Sequence, residues 1–205
     1  VTLQSQVNKL LNIGYTVTMS FMPPTKKHKN SARIAQNLPF YMVHFPLQAK
    51  NFKFEEYNTL HVGDSYKKIE ARVKKVRDYY PNAIYTNNHT GSKFTSDDTS
   101  MNYLIKALKK YDFIFVDSRT TSKSVVKKYT EKYKLPYIAR NVFLDNNQNY
   151  DYIQKQLKKS IKIAKKTGSA IAIGHPYAIT IKVLKESKHL LEGLNLVYVN
   201  EIPVH

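Results

Sequence analysis

Ala83-Ile84-Tyr85-Thr86-Asn87-Asn88-His89-Thr90-Gly91-Ser92-Lys93-Phe94-Thr95-Ser96-Asp97 is the stretch whose reading decides the fold. It opens on a short apolar run, expected to be a buried strand over residues 83–86. It closes where a helical pattern begins, near Asp98. Between lie two amides, an imidazole, a glycine and several hydroxyls, which contribute little to a core. In a parallel α/β fold, ligands bind where a strand's C-terminal end turns toward its helix. The segment therefore has two readings: a polar loop held by an Asx-type turn, or part of a binding site.

Working outward, the same alternation repeats. Strands are expected over residues 15–22, 40–43, 83–86, 113–116, 137–139, 170–173 and 194–199, each ended by polar or Pro/Gly signals. Helices are expected over residues 2–12, 29–37, 66–79, 101–110, 123–133, 150–167 and 180–190, with apolar residues on one face and lysines on the other. Residues 52–62 read as an irregular excursion. Phe113-Ile114-Phe115-Val116 is unbroken and apolar, as a strand covered on both faces should be. Regular strand–helix alternation implies a parallel sheet, open or closed into a barrel, with right-handed crossovers. The 205 residues show no linker or repeat, so one domain spanning 1–205 is expected.

Composition narrows the chemistry. With no cysteine, disulfides, thiolate metal sites and a Cys nucleophile are excluded. No apolar run is long enough to span a bilayer. Lys and Arg number 33 against 15 Asp and Glu, a net charge of +18. That charge attracts nucleic acid or an anionic envelope surface, or simply solvates the chain. Arginine is scarce and no nucleic-acid-binding motif is present, so no specific nucleic-acid partner is expected. The lysines instead spread over helix faces, as in Lys155, Lys158, Lys159, Lys162, Lys165 and Lys166.

His44, His89, Asp117 with Arg119, and His175 each come close to the C-terminal end of an expected strand. Those ends share one side of a parallel sheet, so the groups should converge. His44 and His89 suit a metal, since neutral imidazole is its commonest nitrogen ligand, or a hydrogen bond to backbone. His175, fixed between Gly174 and Pro176, suits a general acid or a turn histidine. Asp117 and Arg119 suit a pair that orients a catalytic histidine, or a structural ion pair. Arg140 and Asp145 flank the next loop in the same way. Gly91 and Ser92 offer N–H groups to an oxyanion or sugar hydroxyl. The acidic pairs Asp97-Asp98 and Glu55-Glu56 are expected to cap helices or face solvent.

Asn87-Asn88-His89-Thr90-Gly91-Ser92, Asp117-Ser118-Arg119-Thr120, Arg140-Asn141-Val142-Phe143-Leu144-Asp145-Asn146 and Gly174-His175-Pro176 occur in this order along the chain. In order and spacing they resemble the divergent polysaccharide deacetylases, a remote branch of the NodB-type carbohydrate deacetylases. His44-Phe45-Pro46-Leu47 is similar to that family's His-x-Pro-Met segment. The resemblance implies an irregular (β/α) barrel of about seven mostly parallel strands, the first lying before Val1. It implies a hydrolase of C–N or ester bonds that removes acetyl groups from an envelope glycan, such as an acetylated polysaccharide or peptidoglycan-like polymer, in the periplasm or cell envelope. It implies a divalent metal, usually zinc, with His44 and His89 as its ligands and His175 as the acid. Asn87, Asn88, Gly91, Ser92 and Arg140 would then contact the sugar, and Asp117 and Arg119 would set ring orientation and charge. Two departures carry a rival expectation. The family's acidic pair belongs before Val1, and Gln48 stands where the family has Glu. The rival is a catalytically degenerate deacetylase fold that binds glycan or assists envelope assembly.

Overall fold

A strand needs its backbone paired and its side chains alternately placed, and β2, Met42–Leu47, meets both needs with a neighbour on each side. In the computed structural model, which describes residues 1–51 and 53–203, β2 pairs in parallel with β1, Ser20–Phe21, on one side. On the other side it pairs with β3, Tyr85–Thr90, over six residues from Met42↔Tyr85 to Leu47↔Thr90. β4, Ile114–Asp117, and β5, Ile138–Ala139, complete a five-stranded sheet in the order β1-β2-β3-β4-β5. β6, Val142–Phe143, follows almost directly and pairs in parallel with β7, Ala172–Ile173. The chain from β5 to β6 thus faces β4 with its first half and β7 with its second, which carries the curvature on. This is the expected α/β architecture with parallel strands.

The helices are α1, Gln4–Leu11; α2, Ser31–Ala35; α3, Tyr66–Tyr79; α4, Asp98–Lys110; α5, Val126–Lys132; α6, Tyr150–Thr167; and α7, Ala178–Glu186. The Ser65, Asp97 and Asn149 side chains accept from the N–H groups of Lys68, Ser100 and Tyr152 and so start α3, α4 and α6. Gly168, at φ +87°, stops α6 in the left-handed conformation.

Alternation sorts the side chains into two layers. Val43, Phe45, Leu47 and Phe115 face outward and pack with Ile69, Val73 and Val76 of α3 and Leu104, Ile105 and Leu108 of α4. Met42, Val116 and Ile138 face inward and pack with Val199, Tyr85 and Ile171. Each large side chain buried this way stabilises the fold by about 1.5–3 kcal/mol.

Four expectations change. β3 does not end at Thr86 but runs to Thr90, because the Asn87 and Asn88 side chains supply the partners a buried polar strand needs. β2 likewise runs past Val43, so His44 sits within a strand. Residues 194–199 form no strand; they lead into a 3₁₀ turn, Val199–Glu201, that places Val199 beneath the sheet. Residues 15–22 contribute only the two residues of β1. The Val1 N–H and C=O bond to Ser20 and Met22, the pattern of a parallel neighbour on the far side of β1. The Phe52 end of the expected excursion and the terminal His205 lie outside the described residues.

Candidate active site

The inner layer is apolar at its base and polar toward the strand C-termini. Going up, Met42 gives way to His44 on β2, Tyr85 to Asn87 and His89 on β3, and Val116 to Ser118 beyond β4. Register explains the grouping: His44 is paired with Asn87, and His89 lies two residues on, on the same face.

Asn87 is the hub. Its Oδ1 accepts from the Ser20 hydroxyl at 2.6 Å and from His44 Nδ1 at 2.9 Å. Its amide nitrogen donates to Ser118 Oγ, 3.3 Å away, which itself donates to the Asn88 carbonyl at 3.0 Å. These bonds assign the imidazole protons. His44 carries its proton on Nδ1, so its Nε2 is an acceptor, and His89 Nδ1 donates to it at 3.1 Å. The rings meet edge to face, centroids 4.9 Å apart. Burial, then the neighbouring His89, pushes the His44 imidazole well below its ordinary value. Burial also lowers His89, against an opposing pull from the Glu56 carboxylate. Both rings are therefore neutral at neutral pH, and His89 Nε2 keeps a free lone pair.

A second pair stands on the β6–β7 side. Asp145, fully buried, accepts His175 Nδ1 at 2.9 Å, the His175 backbone N–H at 2.6 Å and the Thr180 hydroxyl at 2.8 Å. Burial raises the Asp145 carboxyl, but these three donors outweigh it and hold the group below the usual carboxylate range. The His175 ring stacks on Tyr177 with centroids 5.2 Å apart. Gly174 leaves room for this: a Cβ there would lie 3.2 Å from Thr180 and 3.4 Å from Asp145.

Both pairs open onto one cavity of about 1200 Å³, also lined by Glu56, Asn88, Ser118, Arg119 and Arg140. Arg140 lies over the Phe143 ring at 3.8 Å and clamps the preceding loop, donating to the Ser118 and Arg119 carbonyls. Arg119, exposed at φ +47°, reaches the cavity from that loop.

Asp117 is not brought to the cavity. It lies on the outer face of β4, between Val116 and Ser118, which do line it. Its carboxylate accepts from the Ser124 hydroxyl and the Arg119 N–H, fixing the loop, and forms no ion pair with the Arg119 side chain among the described residues. Burial pushes its pKa up. Gly91 and Ser92 are also absent from the lining. Gly91, at φ +96°, takes a turn whose Cβ would lie 3.1 Å from Leu47, and Ser92 Oγ accepts from the Lys50 N–H. Asp97 caps α4 and Asp98 bonds Tyr129 in its first turn, as expected, but the Glu55-Glu56 pair splits. Glu55 meets His61, whereas Glu56 lines the cavity. Two contributors, Ser20 and Ser118, were given no role of their own, and Glu56 was expected to cap a helix or face solvent. Ser20, a hydroxyl inside the apolar run Met19-Ser20-Phe21-Met22, was the one with a local signal.

A zinc site needs at least three protein donors. Among the described residues no three His, Asp or Glu side chains converge to hold a metal. The His44 Nε2 lone pair is already engaged by His89, and Gln48 turns away, its amide oxygen accepting from the Val62 N–H at 3.1 Å. The described residues alone do not fit the expected metal.

Comparison with known proteins places the chain. It is 38% identical over 157 residues to an uncharacterized protein of Haemophilus influenzae, covering 76% of this chain and 56% of the relative. It is 31% identical over 180 residues to the uncharacterized protein YibQ of Escherichia coli, covering 87% of this chain and 56% of that protein. The chain thus spans about half the length of these curated relatives. A crystal structure of an uncharacterized protein from Agrobacterium tumefaciens shares the fold, with TM-score 0.82 and 18% identity, covering 96% of this chain and 82% of that one. The model of the divergent polysaccharide deacetylases matches residues 2–202, and the chain belongs to that family.

Proposed function

We propose that the chain is the hydrolase domain of an envelope-glycan deacetylase. The observation that carries this reading is the opening of two separately built imidazole systems, His44–His89 and Asp145–His175, onto one cavity. In this reaction a water oxygen bonds to the acetyl carbonyl carbon, and its proton passes to His89 Nε2. Glu56, across the cavity, favours the resulting positive charge. The C–N or C–O bond breaks as His175 delivers a proton from Nε2 to the leaving amine or hydroxyl, its imidazolium steadied by Asp145. The products are acetate and the free sugar group. Arg119 would meet the sugar hydroxyls, whereas the Asn88 side chain, buried and engaged by the Ser118 N–H and the Thr90 carbonyl, holds the loop rather than the sugar. A divalent metal joins this scheme only with a further donor from outside the described residues. The setting we propose for the reaction is the periplasm or cell envelope.

The test is acetate release from N-acetylated and O-acetylated oligosaccharides. His175→Ala is expected to lower kcat by about 10²–10⁴-fold. Equal release by the variant, or none by the wild type, overturns the proposal. The rival, a glycan-binding scaffold without turnover, draws on the engaged Gln48 amide and the incomplete donor set. It predicts calorimetric binding of the same oligosaccharides with no acetate formed.

A further inference from the structure

The outward side of α6 carries Lys155, Lys158, Lys159, Lys162, Lys165 and Lys166, all exposed. At about 100° per residue they fall within roughly a third of the helix circumference, opposite the buried Ile153, Leu157 and Ser160. The stripe is about 17 Å long. The helix's one acidic residue is Asp151, in its first turn. Among the described residues, none of the six lysines meets a carboxylate. On α3, α4 and α5, Lys68, Lys74, Lys110, Lys127 and Lys128 each do.

We propose that this face of α6 docks the protein on a membrane surface rich in anionic phospholipid. A straight row of uncompensated ammonium groups matches a plane of headgroup phosphates, and clusters of four to eight lysines on an amphipathic helix bind such surfaces. The outermost positions hold lysine rather than the Leu, Phe or Trp that insertion requires, so attachment is electrostatic and peripheral. Nucleic acid fits less well, since the stripe contains no arginine and no aromatic ring on which a base could stack. This proposal is independent of the hydrolase reading.

Co-sedimentation with phosphatidylglycerol-containing vesicles tests it. Binding is expected to fall steeply with salt and to be absent on pure phosphatidylcholine. Each Lys→Gln change on the stripe is expected to weaken binding about fivefold, and K158Q/K162Q/K165Q together on the order of a hundredfold. The control K68Q/K74Q/K127Q removes the same charge from α3 and α5 and should leave most binding intact; thermal melts show that both variants fold. Equal loss in the two triple variants, binding to neutral vesicles, no vesicle binding at all, or tighter binding to duplex DNA at the same ionic strength would each overturn the assignment.

Discussion

The part of the molecule built on β1–β5 buries a continuous layer of large side chains, among them Phe21, Phe45, Phe113 and Phe115. The part built on β6, β7, α6 and α7 has two-residue strands and a small cluster, Leu144, Ile153, Leu157, Val183 and Leu191. Each contributes one imidazole system to the cavity. His44 and His89 are held by strand register and by an asparagine hub. His175 depends on a single buried carboxylate. Apolar burial thus holds one side of the cavity in shape, while the other relies on a few strong polar bonds.

The largest test of this contrast is core truncation. Phe115→Ala is expected to cost about 3–5 kcal/mol in urea denaturation, and Leu157→Ala, beside the cavity, about 2–3 kcal/mol. Amides of α6 and α7 should exchange before those of α3 and α4. Equal costs and simultaneous exchange would mean one cooperative core.

Next come the two buried aspartates. Asp145→Asn leaves one of three donors facing an amide and should cost about 2 kcal/mol. Asp117→Asn should cost less, because burial already favours a neutral side chain there. The pH signs differ too. The lowered Asp145 contributes stability that is present above its unfolded value near 3.9 and is lost as pH falls through the folded one. The raised Asp117 contributes stability at low pH that is lost as pH rises through its folded value. Urea midpoints of the two variants at acid and neutral pH check both signs.

How much of this was legible beforehand depended on whether the cause was local. The bounds of α3 and α6 follow from helical period and a capping Ser or Asn, with a closing glycine for α6, all local to the segment itself. The course of β3 through Asn87, Asn88 and His89 does not. Its apolarity ends at Thr86, and what keeps it extended is pairing with β2, forty residues earlier in the chain. The histidines were readable as a cluster because parallel strands bring their ends together. That His44 and His89 share a face was not, because register is set by tertiary pairing. Nor was it readable that Asp117 faces away. Glu56 was out of reach for another reason: no periodicity governs the loop that carries it.

A smaller effect concerns the histidine hub. Unfolded His44 takes a proton near pH 6.5, whereas the folded ring resists it, so the unfolded state binds more protons as pH falls below that value. The stability this ring contributes should be present well above pH 6.5 and be lost progressively as pH falls through and below that value. His44→Gln should flatten that limb in thermal melts across pH. An unchanged limb would assign the loss to the β6–β7 side instead.

The smallest effect separates the two sides by sign. Lys74 and Asp78 on α3 form an i,i+4 ion pair at 3.2 Å, both exposed, so Lys74→Glu turns attraction into repulsion and should cost about 0.3–0.5 kcal/mol. Lys162 on α6 has lysines four residues before and after it, Lys158 and Lys166, and Lys162→Glu creates two favourable pairs in place of two repulsive ones. It should therefore stabilise the protein, by about 0.5–1 kcal/mol at low salt, with the gain fading as salt is added. Thermal melts of both variants at two ionic strengths distinguish the cases. A stripe that weakens its own helix and persists on the surface points to a use outside the fold, and a stabilised K162E that also releases anionic vesicles would connect that cost to binding.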